Sequence, residues 1–145
     1  MRALVQRVSS ASVAVGAEEV GRIGPGLCAL VGVTHTDQPA GAVRLAERLW
    51  GLRVFEDREG LVNLSAADVG GEVLVVSQFT LYADLRRGRR PSFVDAARPE
   101  VAEPLVEGVV ARLRELGAEV ATGRFRAEMQ LSLVNDGPFT VMLEV

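Results

Sequence analysis

Apolar and polar residues alternate near the start of the chain, in the stretch ALVQRVSSASVAV. This period of two predicts a first strand, with Val5, Arg7 and Ser9 on one face. A second pair of strands follows, separated by the turn Gly24–Pro25–Gly26. The later strand of this pair is apolar without interruption from Leu27 to Val33, which is typical of a strand buried on both faces.

The spacing of apolar residues then changes to the three and four of an amphipathic helix, from residue 40 to about 53. Thr36 or Asp37 is expected to cap this helix. Pro39 suits its first turn, because a residue there needs no partner for its N–H.

A second helix is predicted in RPEVAEPLVEGVVARLRELG, where acidic residues lead and arginines trail. Gly117 should end it. Pro104 is expected to lie in its first turn or to kink it.

The remaining segments predict strands. GEVLVVSQFTLYA is the strongest strand pattern, FEDREGLVNLS is a charged loop or loose hairpin, and AEVATGRF, AEMQLSLV and PFTVMLEV supply the last strands. We therefore expect an α+β fold with a curled or barrel-like, mostly antiparallel or mixed sheet and two packed helices. A chain of 145 residues is expected to form one domain, residues 1–145.

Composition narrows the class of protein. One cysteine excludes an internal disulfide, and we expect neither a signal peptide nor a membrane span, so a cytoplasmic protein is predicted. The net charge of -3 argues against a general nucleic-acid coat protein. However, all 16 basic residues are arginines, and four of them lie together: Arg86, Arg87, Arg89 and Arg90. They could bind phosphate or form a solvated loop.

The side chains used most often in catalysis are scarce. His35 is the only histidine and lies in a polar loop, and Cys28 has the apolar neighbours of a buried, unreactive thiol. No metal-ligand spacing or phosphate-binding loop is present, so we expect no metal or cofactor. An enzyme with this inventory would have to use backbone donors or a group of its substrate.

Two segments suit that requirement. SQFTLY, residues 77–82, places polar and aromatic side chains at the end of the most apolar strand, where sites often lie. NDGPFT, residues 135–140, contains a proline that removes a backbone donor where a strand should resume pairing. It is either an ordinary turn or a piece of backbone shaped to touch a ligand.

With both segments in view, the sequence resembles the bacterial and eukaryotic D-aminoacyl-tRNA deacylases. MRALVQRVSSASV, GRIGPGL, RVFEDREGLVNLS and GRRPSFVDAA extend the resemblance over nearly the whole chain. The resemblance implies a homodimer with active sites at the subunit interface. Its partner would be the 3′ acceptor end of an aminoacylated tRNA, from which it hydrolyses D-amino acids, and glycine mischarged on tRNA(Ala).

The resemblance also implies how chirality is tested. The Gly137–Pro138 bond would be cis and would enter the partner subunit's pocket, where its carbonyl oxygens hold the α-amino group and exclude an L side chain. Asn135 belongs with these substrate-binding residues. Arg7 would brace the loop, the alternative being an ordinary arginine on a strand face. Phe139 departs from the small aliphatic residue that many relatives have, which leaves the tolerance of the pocket for bulky side chains open.

For the first segment, the resemblance implies an oxyanion site at the main-chain N–H groups of Phe79 and Thr80. Gln78 and Ser77 would position the substrate or its water. Thr80 is either a nucleophile or, as we favour, a positioning group, with the 2′-hydroxyl of the terminal adenosine as the activating group. Met129 would pack on the adenine or merely fill the core. The four clustered arginines would bind tRNA.

Two other functions fit the sequence. A relative with a trans Gly137–Pro138 bond would edit L-alanine mischarged on a threonine tRNA. A catalytically silent, dimeric RNA-binding module would explain the arginines, but not the pairing of SQFTL with NDGPFT.

Overall fold

The computed structural model describes all 145 residues, Met1 to Val145. Eight strands, two long helices, one short helix and one 3-10 helix follow in this order: β1 (Arg2–Val15), β2 (Glu18–Ile23), β3 (Gly26–Gly32), α1 (Pro39–Trp50), β4 (Arg53–Glu56), β5 (Val62–Ser65), α2 (Ala66–Val69), β6 (Glu72–Ser77), the 3-10 helix (Phe79–Tyr82), α3 (Pro99–Glu115), β7 (Val120–Thr122) and β8 (Gln130–Glu144).

The long first strand organises the main sheet. β1 pairs antiparallel with β3 over residues 2–8, with β2 over residues 11–15, and with β8 along most of its length. β3, β6 and β7 then continue the sheet as parallel neighbours. β2 and β7 lie at the two ends of this sheet. A Cβ added to Gly21 of β2 would lie 2.6 Å from the carbonyl oxygen of Thr122 in β7, so the two end strands nearly meet. The predicted α+β fold with a curled, mixed sheet is confirmed.

The two faces of the sheet bury different cores. Leu27, Ala29 and Val31 of β3 pack with α1 and α3 in the larger apolar cluster, whereas Cys28 belongs to a smaller cluster. That smaller cluster contains strand residues only, so the curled sheet itself encloses it. The prediction that β3 is buried on both faces is therefore confirmed, and burial of so much apolar side-chain surface is the main stabilising contribution.

The helices differ from the sequence prediction at their ends. Gln38 occupies the N-cap of α1, and neither Thr36 nor Asp37 does. The carboxylate of Asp37 instead accepts hydrogen bonds from the Thr34 N–H (2.8 Å) and the Met1 ammonium (2.5 Å). In α3, Pro104 lies inside the helix, beyond the first turn, because the helix already begins at Pro99. The one-turn helix α2 was not predicted.

Two strand predictions were wrong in extent. β6 ends at Ser77, so Phe79 and Leu81 lie in a 3-10 helix and not in a strand. The segments AEMQLSLV and PFTVMLEV do not form two strands joined by a turn. Both pair with the same edge of β1, so Gln130–Glu144 is one strand with an interruption at residues 136–139.

Candidate active site

The first part of the site lies where β6 ends. Residues Val73 to Val76 are buried, and the Gln78 N–H still donates to the Val31 carbonyl of β3 (2.8 Å). The chain then turns closely over β3: a Cβ on Gly32 would lie 3.1 Å from the Gln78 carbonyl oxygen. This turn exposes Phe79, whose side chain is 58% accessible.

The turn leaves two main-chain donors at its start. The first 3-10 hydrogen bond runs from the Leu81 N–H to the Gln78 carbonyl (3.3 Å), so the N–H groups of Phe79 and Thr80 precede it. N–H groups at this position have no partner inside the helix. The Gln78 amide donates to the Thr80 hydroxyl (2.5 Å), which is therefore paired with an amide and not with a base.

A cleft of about 650 Å³ opens beside this turn. Four segments line it: the end of β3, the end of β6, the chain that enters α3, and the loop between β7 and β8. Ser77, Gln78, Phe79 and Met129 are among the lining residues. A Cβ on Gly123 would lie 2.6 Å from the Met129 sulfur, so the thioether packs directly on the backbone there.

Several residues that line the cleft were not predicted from the sequence. Phe93 contacts Phe79 edge to face, with ring centres 5.1 Å apart. Phe125, in the loop before β8, also lines the cleft. Glu128 is the one carboxylate in the lining, and Arg126 is a lining residue with a positive φ of 63°. The one sequence signal for this loop is the mixture of apolar and charged residues in GRFRAEM, which could have suggested a binding loop.

The second segment, NDGP, forms a bulge in β8. Val8 pairs with Asn135 and Gln6 with Thr140, so the four residues Asp136 to Phe139 stand opposite Arg7 alone. The Gly137–Pro138 peptide bond is cis, and residues 134–138 are exposed. A Cβ on Gly137 would contact only the Asn135 side chain, at 3.6 Å. The bulge therefore projects a stretch of bare main chain from the sheet.

Arg7 holds this bulge from beneath. It is 7% exposed, and its guanidinium donates to the carbonyls of Val54 (2.6 Å) and Asp136 (3.2 Å). It also forms an ion pair with the Asp136 carboxylate at 3.1 Å. The Asn135 amide donates to the carbonyls of Arg7 (3.0 Å) and Phe139 (3.2 Å). Both side chains thus fix the backbone on either side of Gly137 and Pro138.

None of these bulge residues lines the cleft of its own chain. The structure brings Ser77, Gln78, Phe79 and Met129 together and leaves the bulge apart from them.

The clustered arginines lie on the loop that leads from the 3-10 helix towards Phe93. All four are exposed. Arg86 is paired with Asp84 at 2.9 Å, and its hydrogen bonds lower the pKa of that carboxyl to about 2. Arg87, Arg89 and Arg90 form no ion pair.

The remaining candidate groups are engaged or buried. The ring Nε2 of His35 lies 2.7 Å from the Val94 carbonyl oxygen, to which it donates. Burial raises the pKa of the Cys28 thiol to about 11. No group of three or more His, Cys, Asp or Glu side chains is placed to hold a metal ion. None of the helices has the length and apolar character needed to cross a bilayer.

Comparison with known proteins identifies the family. The family model for D-Tyr-tRNA(Tyr) deacylase matches residues 4–144. The D-aminoacyl-tRNA deacylase of Symbiobacterium thermophilum is 59% identical over 99% of this chain and 95% of its own. That of Thermobifida fusca is 60% identical over the full length of both chains.

Solved structures agree with the fold. One described as a c-Myc DNA unwinding element binding protein has a TM-score of 0.94 and 38% identity, and covers 100% of this chain and 99% of its own. A probable eukaryotic D-amino acid tRNA deacylase has a TM-score of 0.83 at 18% identity, covering 99% of this chain and 98% of its own, which supports the fold alone.

The family model and these relatives show that the chain, with its curled α+β fold, is a hydrolase that acts on carboxylic ester bonds. More specifically, the chain belongs to the D-Tyr-tRNA(Tyr) deacylase family.

Proposed function

We propose that this protein is a cytoplasmic homodimer that hydrolyses the ester bond of D-aminoacyl-tRNAs and releases free D-amino acid and tRNA. Glycine mischarged on tRNA(Ala) is a second substrate. The observation that carries the proposal is the exposed 3-10 turn of SQFTL, whose two free main-chain N–H groups, those of Phe79 and Thr80, lie beside a cleft that Phe79 lines and no histidine lines.

The chemistry follows from those donors. Water adds to the ester carbonyl carbon, and the N–H groups of Phe79 and Thr80 stabilise the negative charge on its oxygen. Removing one such donor in other enzymes costs about 2.7–4 kcal/mol. The bond to the ribose 3′-oxygen then breaks, and that oxygen takes up a proton. Gln78 and Ser77 position the ester and the water.

The proton of the attacking water needs an acceptor, and we assign this role to the 2′-hydroxyl of the terminal adenosine, which takes that proton while it passes its own to the leaving 3′-oxygen. The Thr80 hydroxyl accepts a hydrogen bond from Gln78, and His35 is bound to a backbone carbonyl outside the cleft. Neither arrangement supplies a side-chain base for a nucleophilic hydroxyl. Met129 packs against the adenine of the same nucleotide.

Chirality is tested by backbone. The carbonyl oxygens of Gly137 and Pro138 enter the partner's cleft, bind the α-amino group and occupy the space that an L side chain would need. In support, the bulge is exposed, is held by Arg7 and Asn135, and does not line the cleft of its own chain. A rigid main-chain wall should discriminate better than an apolar pocket, where one methylene is worth about 1–3 kcal/mol.

The surface beside the bulge supports a dimer. One apolar row crosses three strands of the sheet there. Leu4 of β1 pairs with Leu30 of β3 on one side and with Met142 of β8 on the other. Met142 is 47% exposed. Light scattering should give twice the chain mass of 15.5 kDa. Met142→Glu should produce monomers that lack activity; a fully active monomer would contradict the shared site.

Incubation with D-Tyr-tRNA and L-Tyr-tRNA, followed by measurement of released tyrosine, tests the central claim. Hydrolysis of the D-ester alone supports it. Equal hydrolysis of both esters would contradict chiral selection. Hydrolysis of neither ester would support the catalytically silent RNA-binding module instead.

A further inference from the structure

Arg126 occupies a backbone position that favours glycine. The Ala127 N–H donates to the Arg124 carbonyl (3.2 Å), which closes a four-residue turn. Arg126 is the third residue of this turn, and its φ is +63°. A turn with positive φ at that position normally has glycine or asparagine there, because a Cβ is crowded in the left-handed region. An arginine is therefore held at this point at a cost in stability.

The charge of Arg126 is also free. Its side chain is exposed at the cleft that Phe125 and Met129 line, and its guanidinium forms neither an ion pair nor a hydrogen bond. Arg124, two residues earlier, is instead paired with Glu18 at 3.2 Å. Glu128, on the same rim, forms no ion pair with Arg126. The turn thus presents one uncompensated guanidinium at the cleft mouth.

We propose that Arg126 binds the 5′-phosphate of the nucleotide whose base packs on Met129. The inference rests on the proposed function, which places the terminal adenosine in this cleft. That nucleotide necessarily carries a phosphate on its 5′ side, within the same residue as the base. A guanidinium fork matches two phosphate oxygens and forms strong, charge-assisted hydrogen bonds. The left-handed turn sets the direction in which this side chain leaves the backbone.

Binding of adenosine and of adenosine 5′-monophosphate, followed by NMR titration, isolates the phosphate. The wild-type protein should bind the nucleotide about fivefold more tightly than the nucleoside. Arg126→Gly should bind both equally, with the affinity for adenosine unchanged. Because glycine suits the turn, its melting temperature should be no lower than that of the wild type. Arg124→Ala is the matched control and should keep the preference for the nucleotide.

A variant Arg126→Gly that retains the preference, or a wild-type protein that binds both ligands equally, would overturn the proposal. Hydrolysis separates this result from the proposed function. With D-Tyr-tRNA, Arg126→Gly should raise KM about fivefold and leave kcat within about twofold. If the wild-type protein hydrolyses no D-Tyr-tRNA, the proposed function fails, while the two binding measurements still decide the role of Arg126.

Discussion

The guanidinium carbon of Arg7 lies 4.5 Å from the centre of the Phe139 ring. Phe139 directly follows Pro138, and its half-buried side chain packs against the larger apolar cluster. The residue that ends the bulge therefore covers the arginine that holds it. Beneath the bulge, the ring of Phe139 thus shields the buried guanidinium of Arg7.

Replacing Phe139 should weaken this arrangement. Phe139→Val should lower the free energy of unfolding by about 1–2 kcal/mol, since both a cation–π contact and apolar burial are lost. Phe139→Leu keeps most of the volume without the ring, so the difference between wild type and Phe139→Leu in urea unfolding isolates the ring's contribution. Wild-type stability in both variants would show that the ring does not support Arg7.

Substitution of Arg7 should lower both the stability of the protein and its activity. In Arg7→Met, the carbonyls of Val54 and Asp136 lose their donor, so we expect a loss of about 2–4 kcal/mol in unfolding free energy. The value of kcat/KM for D-Tyr-tRNA should fall more than about tenfold, because the bulge is no longer fixed. Arg7→Lys keeps the charge but lacks the planar fork, and should recover only part of either quantity. Full activity in Arg7→Met would make this arginine an ordinary residue of the strand face.

The hydroxyl of Thr80 should be dispensable for the chemical step. Thr80→Ala should keep kcat within about tenfold of wild type, because the oxyanion donor is the main-chain N–H. A tRNA that ends in 2′-deoxyadenosine should be nearly inert in single-turnover measurements. Glu128→Gln is the control for the one carboxylate in the cleft and should remain active. An inactive but folded Thr80→Ala would instead support an acyl-enzyme on this hydroxyl.

The clustered arginines should set the salt dependence of tRNA binding. Arg87, Arg89 and Arg90 have no carboxylate partner, whereas Arg86 is held by Asp84. Replacing those three unpaired arginines with alanine should weaken binding of different tRNAs alike. The slope of log K against log salt, which is negative, should become less steep by about 2, since each phosphate contact contributes roughly 0.7–0.9 to its magnitude. Arg44→Ala, an exposed arginine on α1, should leave the slope unchanged. An unaltered slope in the triple variant would reduce the loop to a solvated surface.

Cys28 should make the protein less stable at high pH. Burial raises the pKa of its thiol to about 11 in the folded state, whereas an unfolded cysteine titrates at about 8.5. Between these values the unfolded chain loses its proton first, so stability falls as pH rises through this range.

The loss should reach at most about 3 kcal/mol near pH 11. Urea unfolding of wild type and Cys28→Ala at several pH values measures it as the difference between the two proteins. The comparison is needed because burial also raises the pKa of Tyr82. Parallel pH profiles would contradict the assignment to Cys28.

Local pattern was enough to predict most elements. Strand β1 and the two long helices follow from periodicities of two and 3.6, and β3 follows from its uninterrupted apolar run. All of these patterns depend only on neighbouring residues. The ends of these elements were less predictable. Asp37 does not cap α1 because the distant Met1 ammonium engages its carboxylate, and no local pattern contains that contact.

For the site, the sequence by itself singled out the two segments on which the proposed function rests, SQFTL and NDGPFT, because their polar residues and proline interrupt strand patterns. Only the tertiary structure decided that β8 runs on through its bulge, because pairing with β1 on both sides of Arg7 overrides the turn preference of Asn-Asp-Gly. It alone also brought Phe93, Phe125 and Arg126 to the cleft. Their positions depend on packing between segments that are distant in the chain, and such long-range contacts leave no periodic trace in the sequence.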